Sequence, residues 1–419
     1  MMENPGNTIT GGVCAPGNFH AHALKCGIKD PAAPRLDLGL IYSTLPATSA
    51  GVFTTNRIMA APVKVSQRHI QSADVQALLV NSGNANACTG EEGVQHAQDS
   101  CQEVATALGI PTEQVAVCST GVIGLPLPYD RMEPQFPALV AGLAAGAAQA
   151  DAFAKAIMTS DTRQKEIAIE IQIGGRPVRI GACAKGAGMI KPSMATMLCF
   201  ITTDIALPKG DLQEALIAAT DQSFNRISID GDMSTNDTAL ILANGASGVA
   251  ISKADTADYA LFSTALTYVL DHLARAIVLD GEKVTKFITL EVVNAHSHKD
   301  AKNIAEAVAD SPLVKSAWNG DDPNWGRVIH AVGYAHARII EERINILWDD
   351  EVACEGGKLG PASIANLRTI AGQPAFTVRI DLQLGTADYT MYTSDLSPEY
   401  VDYNRSEYSY WKAVERNQG

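Results

Sequence analysis

The residues best equipped for chemistry fall in one stretch, Lys185–Phe200, reading KGAGMIKPSMATMLCF. A lysine and three small residues, Gly186, Ala187 and Gly188, lead to a single threonine hydroxyl, Thr196, between Ala195 and Met197. Glycines let a backbone approach another group closely and take φ > 0. Pro192 neither continues a helix nor donates to a ladder, so residues 190–193 are expected to be extended or turned. Thr196 has two readings: a tolerated threonine in a buried strand, or a nucleophile. A threonine hydroxyl is weak and needs a base beside it. No histidine lies near it in sequence. A cut before Thr196 would supply one, because the new α-amine, with a reference pKa of about 7.7–8.0, would stand next to Oγ1. Threonine acting with its own N-terminal amine is a known variant of triad chemistry.

Other candidates are weighed the same way. Val115–Cys118 runs into Ser119-Thr120-Gly121-Val122-Ile123-Gly124. Backbone N–H groups at such a strand end can form an oxyanion hole, and a plain strand-to-loop turn has the same composition. Asp230, Asp232 and Asp237 share the polar segment Ser223–Thr238. It lacks the glycine and closing glutamate of a calcium loop, so no metal is expected there. His296 and His298 lie one residue apart and read as capping a surface loop rather than as metal ligands. Eight cysteines form no CxxC pair and read as reduced, mostly buried thiols.

Alternating strands and helices must hold these groups in place. Leu38–Tyr42, Gly51–Thr55 and Ala77–Val80 are apolar or β-branched runs and predict strands. The last leads into the loop-like, Asn- and Gly-rich Asn81–Gly90. Val94, Ala97, Cys101, Val104, Ala105 and Leu108 recur at helical spacing, and Gly109 and Pro111 end that helix. Residues 137–158 are Ala-rich and predict helix in two pieces. From Glu166, isoleucines at 167, 169, 171 and 173 share one face, with Glu170 and Gln172 on the other. Gly174-Gly175 turns that strand back into Val178–Ala182, which delivers Lys185. Leu198–Thr203 is a strand, 212–223 and 254–276 are helices, and Phe287–Val293, Arg343–Leu347 and Ala375–Leu384 are further strands, with a helix over 300–309. The succession argues a mixed α/β (α+β) protein.

The 419 residues suffice for a large core. A composition of 46% hydrophobic and 19% charged residues is that of a globular protein, and a net charge of −14 argues against binding to nucleic acid. Residues 1–12 carry neither a basic nor an apolar signal region, and no run reaches the length of a membrane span. A cytoplasmic protein with no membrane partner is expected.

KGAGMIKPSMATML resembles the self-cleavage motif of the ornithine acetyltransferase family, the glutamate N-acetyltransferases of arginine biosynthesis. GVFTTN with AAPV, NSGNANACTG, STGVIG, VLDGEKVTK, WNGDDPNWGRVIHAVGY and EYVDYNRSEYS resemble further segments of that family, in its order. The resemblance implies an αββα sandwich built by an α chain, 1–195, and a β chain, 196–419, with a smaller C-terminal α/β subdomain over roughly 285–419. It implies a cut between Ala195 and Thr196, Thr196 as nucleophile, and Thr120 and Gly121 as the oxyanion hole. It implies substrate contacts at Thr159, Lys185, Thr196, Glu282, Asn404 and Ser409. Ser160 stands where the family has a second threonine and keeps a hydroxyl. Ten residues, YWKAVERNQG, follow Ser409, where the family's β chain usually ends.

The implied reaction moves an acetyl group from N2-acetyl-L-ornithine to L-glutamate through an acetyl-threonine; members of the family differ in whether acetyl-CoA serves as a second donor, and the sequence leaves that open. No resident cofactor or metal is implied, and an α2β2 assembly is. Two alternatives stand beside it. One is an N-terminal-threonine amidase or peptidase on the same scaffold, with water as acceptor. The other is an uncut, catalytically dead binding homologue.

Overall fold

The computed structural model describes residues 2–191, 197–406 and 414. Ala195, Thr196, Ser409 and the rest of the tail, apart from residue 414, lie outside these described residues. Two sheets and the helices on their outer faces carry the candidate site. The first is six-stranded, in the order Asn7–Ile9, Lys165–Ile173, Arg176–Lys185, Leu198–Thr203, Thr238–Ala243, Thr48–Phe53. The second is four-stranded, in the order Phe19–Leu24, Leu38–Ser43, Ala77–Asn84, Val115–Val122.

Period-two patterning explains how the sheets stack. Cys183, Leu198, Phe200, Leu240 and Leu242 of the first sheet meet Phe19, Ile41, Leu78, Val80 and Cys118 of the second in one core. Phe153 and Phe200 close it edge to face, with ring centroids 5.6 Å apart. On the outer face of the first sheet, Ile167, Ile169, Ile171 and Ile173 pack with the helices Lys209–Asp221 and Thr256–Leu279. On the outer face of the second, Leu38, Leu40, Leu79 and Val117 meet the helices Ala61–Ser72 and Gly90–Leu108. The order helix, sheet, sheet, helix is the expected αββα sandwich. Each fully buried Leu, Ile or Phe contributes about 1.5–3 kcal/mol, so both faces of both sheets hold the fold.

The hairpin that delivers Lys185 forms as its sequence demands. Gly174 and Gly175 take φ of 57° and 74°, the left-handed pair that a two-residue hairpin requires. Ile169 then faces Ile180, and Lys185 pairs with Leu198. A further seven-stranded sheet is built from Ile227–Ser228 and strands between Phe287 and Ser394. It has its own core around Ile288, Leu290, Trp318, Trp348 and Val378.

Several sequence expectations shift. The strand expected at Ala77–Val80 runs on to Asn84, because Asn81, Ser82 and Gly83 pair in parallel with Ser119, Thr120 and Gly121. The helix Ala61–Ser72 goes unread in the sequence; its proline sits in the first turn, where a missing N–H costs nothing. Between His296 and His298 it is Ser297 that caps the following helix, accepting from the Asp300 N–H. The helix Thr256–Leu279 is long and apolar enough to cross a membrane by length and composition, contrary to the reading above. Phe262, Leu266, Val269, Leu270 and Leu273 bury it against the first sheet.

Candidate functional site

The parallel strands Ala77–Asn84 and Val115–Val122 end side by side at Gly83 and Gly121. Gly121 has a φ of +138°, and a Cβ there would lie 2.2 Å from the Gly83 carbonyl carbon, so only glycine fits. Beside them the strand Arg176–Lys185 ends on Lys185. The loop after the helix Thr256–Leu279 supplies Glu282, and the helix Pro398–Ser406 supplies Tyr400 and Asn404.

These elements enclose a cavity of about 460 Å³ lined by Thr120, Gly121, Thr159, Lys185, Glu282 and Asn404, together with Ser160, Asp230 and Tyr400. Every site residue expected from sequence and lying among the described residues lines this one cavity. Another cavity near Arg57, Lys64 and Cys88 is larger, about 730 Å³, and contains none of them. Chemistry rather than size picks out the site.

Lys185 is 3% exposed. Among the described residues its Nζ donates one hydrogen bond, to Thr120 Oγ1 at 3.4 Å, and stands 3.9 Å from Asp161 Oδ2. Burial lowers its pKa, against the pull of Asp161. Asp161 accepts from the Thr159 N–H at 2.9 Å, the Gly186 N–H at 2.7 Å and Lys165 Nζ at 2.7 Å. Burial opposes its charge, but Lys185 and Lys165 outweigh that and hold the carboxyl well below the usual range. Lys165 also reaches Asp280 Oδ2 at 2.5 Å, and Asp280 accepts from the Thr162 hydroxyl and its N–H.

Across the cavity lining, Asn404 Nδ2 donates to Glu282 Oε2 at 2.9 Å, and the Glu282 N–H to the Ala187 carbonyl at 2.9 Å. A Cβ at Gly188 would fall 2.5 Å from Glu282 Oε1, so this glycine makes room for the carboxylate. Asp230 accepts from the Met189 N–H at 2.5 Å, the Ile190 N–H at 2.8 Å and the Tyr400 hydroxyl at 3.2 Å. It fixes the backbone that leads toward Thr196. Asp237, fully buried, accepts from the Met197 N–H at 3.1 Å through Oδ1, while among the described residues Oδ2 accepts no close hydrogen bond and the Thr54 side chain and Lys185 work against the effect of burial. Burial pushes the Asp237 carboxyl well above its ordinary pKa. Among the described residues no cluster of His, Cys, Asp or Glu could hold a metal.

The arrangement offers a buried cation at one part of the cavity and a carboxylate at another, beside a hydroxyl and a glycine turn. It suits an amino acid with both charges, and an acyl group between them. Sequence reasoning missed Asp161, Lys165, Asp280 and Tyr400. A signal for Lys165 exists: the alternation through Ile167–Ile173, extended back two residues, puts a lysine on the buried face.

A model of the ArgJ family matches residues 20–409. The arginine biosynthesis bifunctional protein ArgJ of Geobacter sulfurreducens is 46% identical over 387 residues, covering 92% of this chain and 98% of the relative. That of Symbiobacterium thermophilum is 44% identical over 399 residues, covering 95% and 98%. Among solved structures, an ornithine acetyltransferase from Mycobacterium tuberculosis, complexed with ornithine, is 36% identical over 45% of this chain and 99% of the solved chain, with a TM-score of 0.41. The family model spans nearly the whole chain and both relatives match almost end to end: the chain belongs to the ArgJ family and is an enzyme of arginine biosynthesis.

Proposed function

We propose that this cavity transfers an acetyl group from N2-acetyl-L-ornithine to L-glutamate through an acetyl-threonine on Thr196. The observation that carries the reading is the convergence of Thr120, Gly121, Thr159, Lys185, Glu282 and Asn404 on one cavity of a family member. Maturation comes first. Thr196 Oγ1 attacks the Ala195 carbonyl, the C–N bond breaks, and water hydrolyses the resulting ester. That leaves an Ala195 carboxylate and a free Thr196 α-amine, and so an α chain, 1–195, and a β chain, 196–419.

In turnover the α-amine takes the Oγ1 proton as Oγ1 attacks the acetyl carbonyl. Thr120 and Gly121 meet the developing oxyanion, a contribution commonly worth about 10²–10³ in kcat per donor. The C–N bond breaks, ornithine leaves with the proton, and the glutamate α-amine then attacks the acetyl ester. Lys185 meets the substrate carboxylate and Glu282, oriented by Asn404, its ammonium group. Thr159 and Ser409 complete the substrate contacts. Acetyl-CoA as a second donor fits the bifunctional name of the relatives. Neither half-reaction calls on a resident cofactor. An α2β2 assembly in the cytoplasm belongs to the same reading.

Acetyl-labelled acetylornithine tests it. Label should pass to N-acetylglutamate when glutamate is present. Label released only as acetate would favour the amidase.

A further inference from the structure

We infer that Lys165 is a positioning residue that keeps Lys185 free for the substrate's carboxylate. This rests on the reading above, in which Lys185 meets that carboxylate. Lys165 does not line the cavity, and its side chain is 1% exposed. Its Nζ lies 2.7 Å from Asp161 Oδ1 and 2.5 Å from Asp280 Oδ2. Asp161 stands between two buried lysines but treats them unequally, bonding Lys165 at 2.7 Å and leaving Lys185 at 3.9 Å.

A buried carboxylate with one lysine beside it would draw that lysine into a direct ion pair, because the low-dielectric interior strengthens the attraction. Lys165 and the N–H groups of Thr159 and Gly186 already occupy Asp161. Lys185 is therefore left with one long hydrogen bond among the described residues, to Thr120, and with its ammonium at the cavity wall. The same Lys165 ammonium holds Asp280, two residues before Glu282. One side chain thus ties the strand bearing the cationic contact to the loop bearing the anionic one.

The charged groups acting on Lys185 are Asp161, Lys165, Glu282 and Asp237. Removing Lys165 removes a repulsion and releases Asp161 to Lys185. Both changes raise the pKa of Lys185 while taking it away from the substrate. The test uses the processed enzyme and the KM for acetylornithine across pH. Lys185→Ala comes first: it should raise KM, and an unchanged KM removes both the function reading and this inference. With that control in place, Lys165→Met should raise KM by about tenfold or more, the loss of a charge-assisted contact, with kcat little changed. The basic limb of 1/KM should move to higher pH than in the wild type. A wild-type KM in Lys165→Met, or a raised KM with an unmoved limb as packing damage alone would give, overturns the inference and leaves the function reading standing. If Lys165→Met does not fold, the wild type decides. Its own basic limb must lie below the ordinary lysine value of about 10.4; a limb at or above that value means Asp161 already holds Lys185.

Discussion

Two aspartates with fully buried side chains flank the site and titrate in opposite directions. Asp161 has two lysines and two N–H groups around it, and its carboxyl is held well below the usual range. Asp237 has one N–H on Oδ1, the Thr54 side chain, a more distant Lys185 and, among the described residues, an Oδ2 that accepts no close hydrogen bond, and burial pushes its carboxyl well above that range. Residue type and burial are the same; the partners decide. The Asp161 region is a closed ion cluster that fixes Lys185 and the Glu282 loop. The Asp237 region is a carboxyl with fewer charged partners among the described residues, bonded to the N–H of the residue that follows Thr196.

The largest expected effect falls on the first region. Asp161→Ala would leave Lys185 without its nearest carboxylate and Lys165 with Asp280 alone, and breaking such a buried arrangement costs about 3–5 kcal/mol, read as a lower urea midpoint. The pH dependence has a definite sign. The depressed Asp161 carboxyl adds stability that is present above the ordinary carboxylate pKa and is lost as pH falls below it. The variant should therefore lose part of the wild type's acid-side slope. A midpoint within about 1 kcal/mol of wild type would mean that the cluster is not an ionic one.

Binding comes next. Lys185→Ala and Glu282→Ala should each raise the KM for acetylornithine by about 10–100-fold, the range for a charged hydrogen bond. Asp300→Ala, in the first turn of a remote helix, should leave it unchanged. Lys185→Ala should also lower stability, because it removes one partner of the buried Asp161, whereas the partly exposed Glu282 should affect binding alone. Equal stability losses in the two variants would blur the contrast.

Asp237→Asn should do least to stability. The amide oxygen can still accept from the Met197 N–H, and the group that resists ionisation is gone. In the wild type, the raised carboxyl contributes stability that is fully present below the ordinary carboxylate pKa and declines as pH rises toward its folded value. The variant should lack that decline, so its unfolding free energy at neutral pH should match or exceed the wild type's. A loss above about 2 kcal/mol would show that Asp237 is a satisfied ion instead.

Much of this was legible in the chain. The hairpin was readable because strict alternation and Gly174-Gly175 admit one register. Helix Gly90–Leu108 was readable from its apolar spacing and its left-handed Gly109. The pairing of Asn81–Gly83 with Ser119–Gly121 was not, because polar residues at a strand end look like a turn until the partner strand is known. The lining residues came from motif resemblance, which names groups but not their support. Asp161, Lys165 and Asp280 are joined by contacts spanning up to 115 residues, and no local pattern reports such contacts. Lys165 alone betrayed itself, as a charge at an inward strand position.

In the proposed reaction Thr196 is set free by cleavage and then carries the acetyl group. Intact-mass measurement of the purified protein, before and after acetylornithine, tests this most directly. Two fragments are expected, 1–195 and 196–419, with a single acetyl added to the second on its N-terminal threonine and discharged by glutamate. Thr196→Ala should remain one chain and take no acetyl group. An uncut wild type that still transfers acetyl, or an acetyl group carried anywhere other than Thr196, would rule out Thr196 as the cleavage-activated nucleophile.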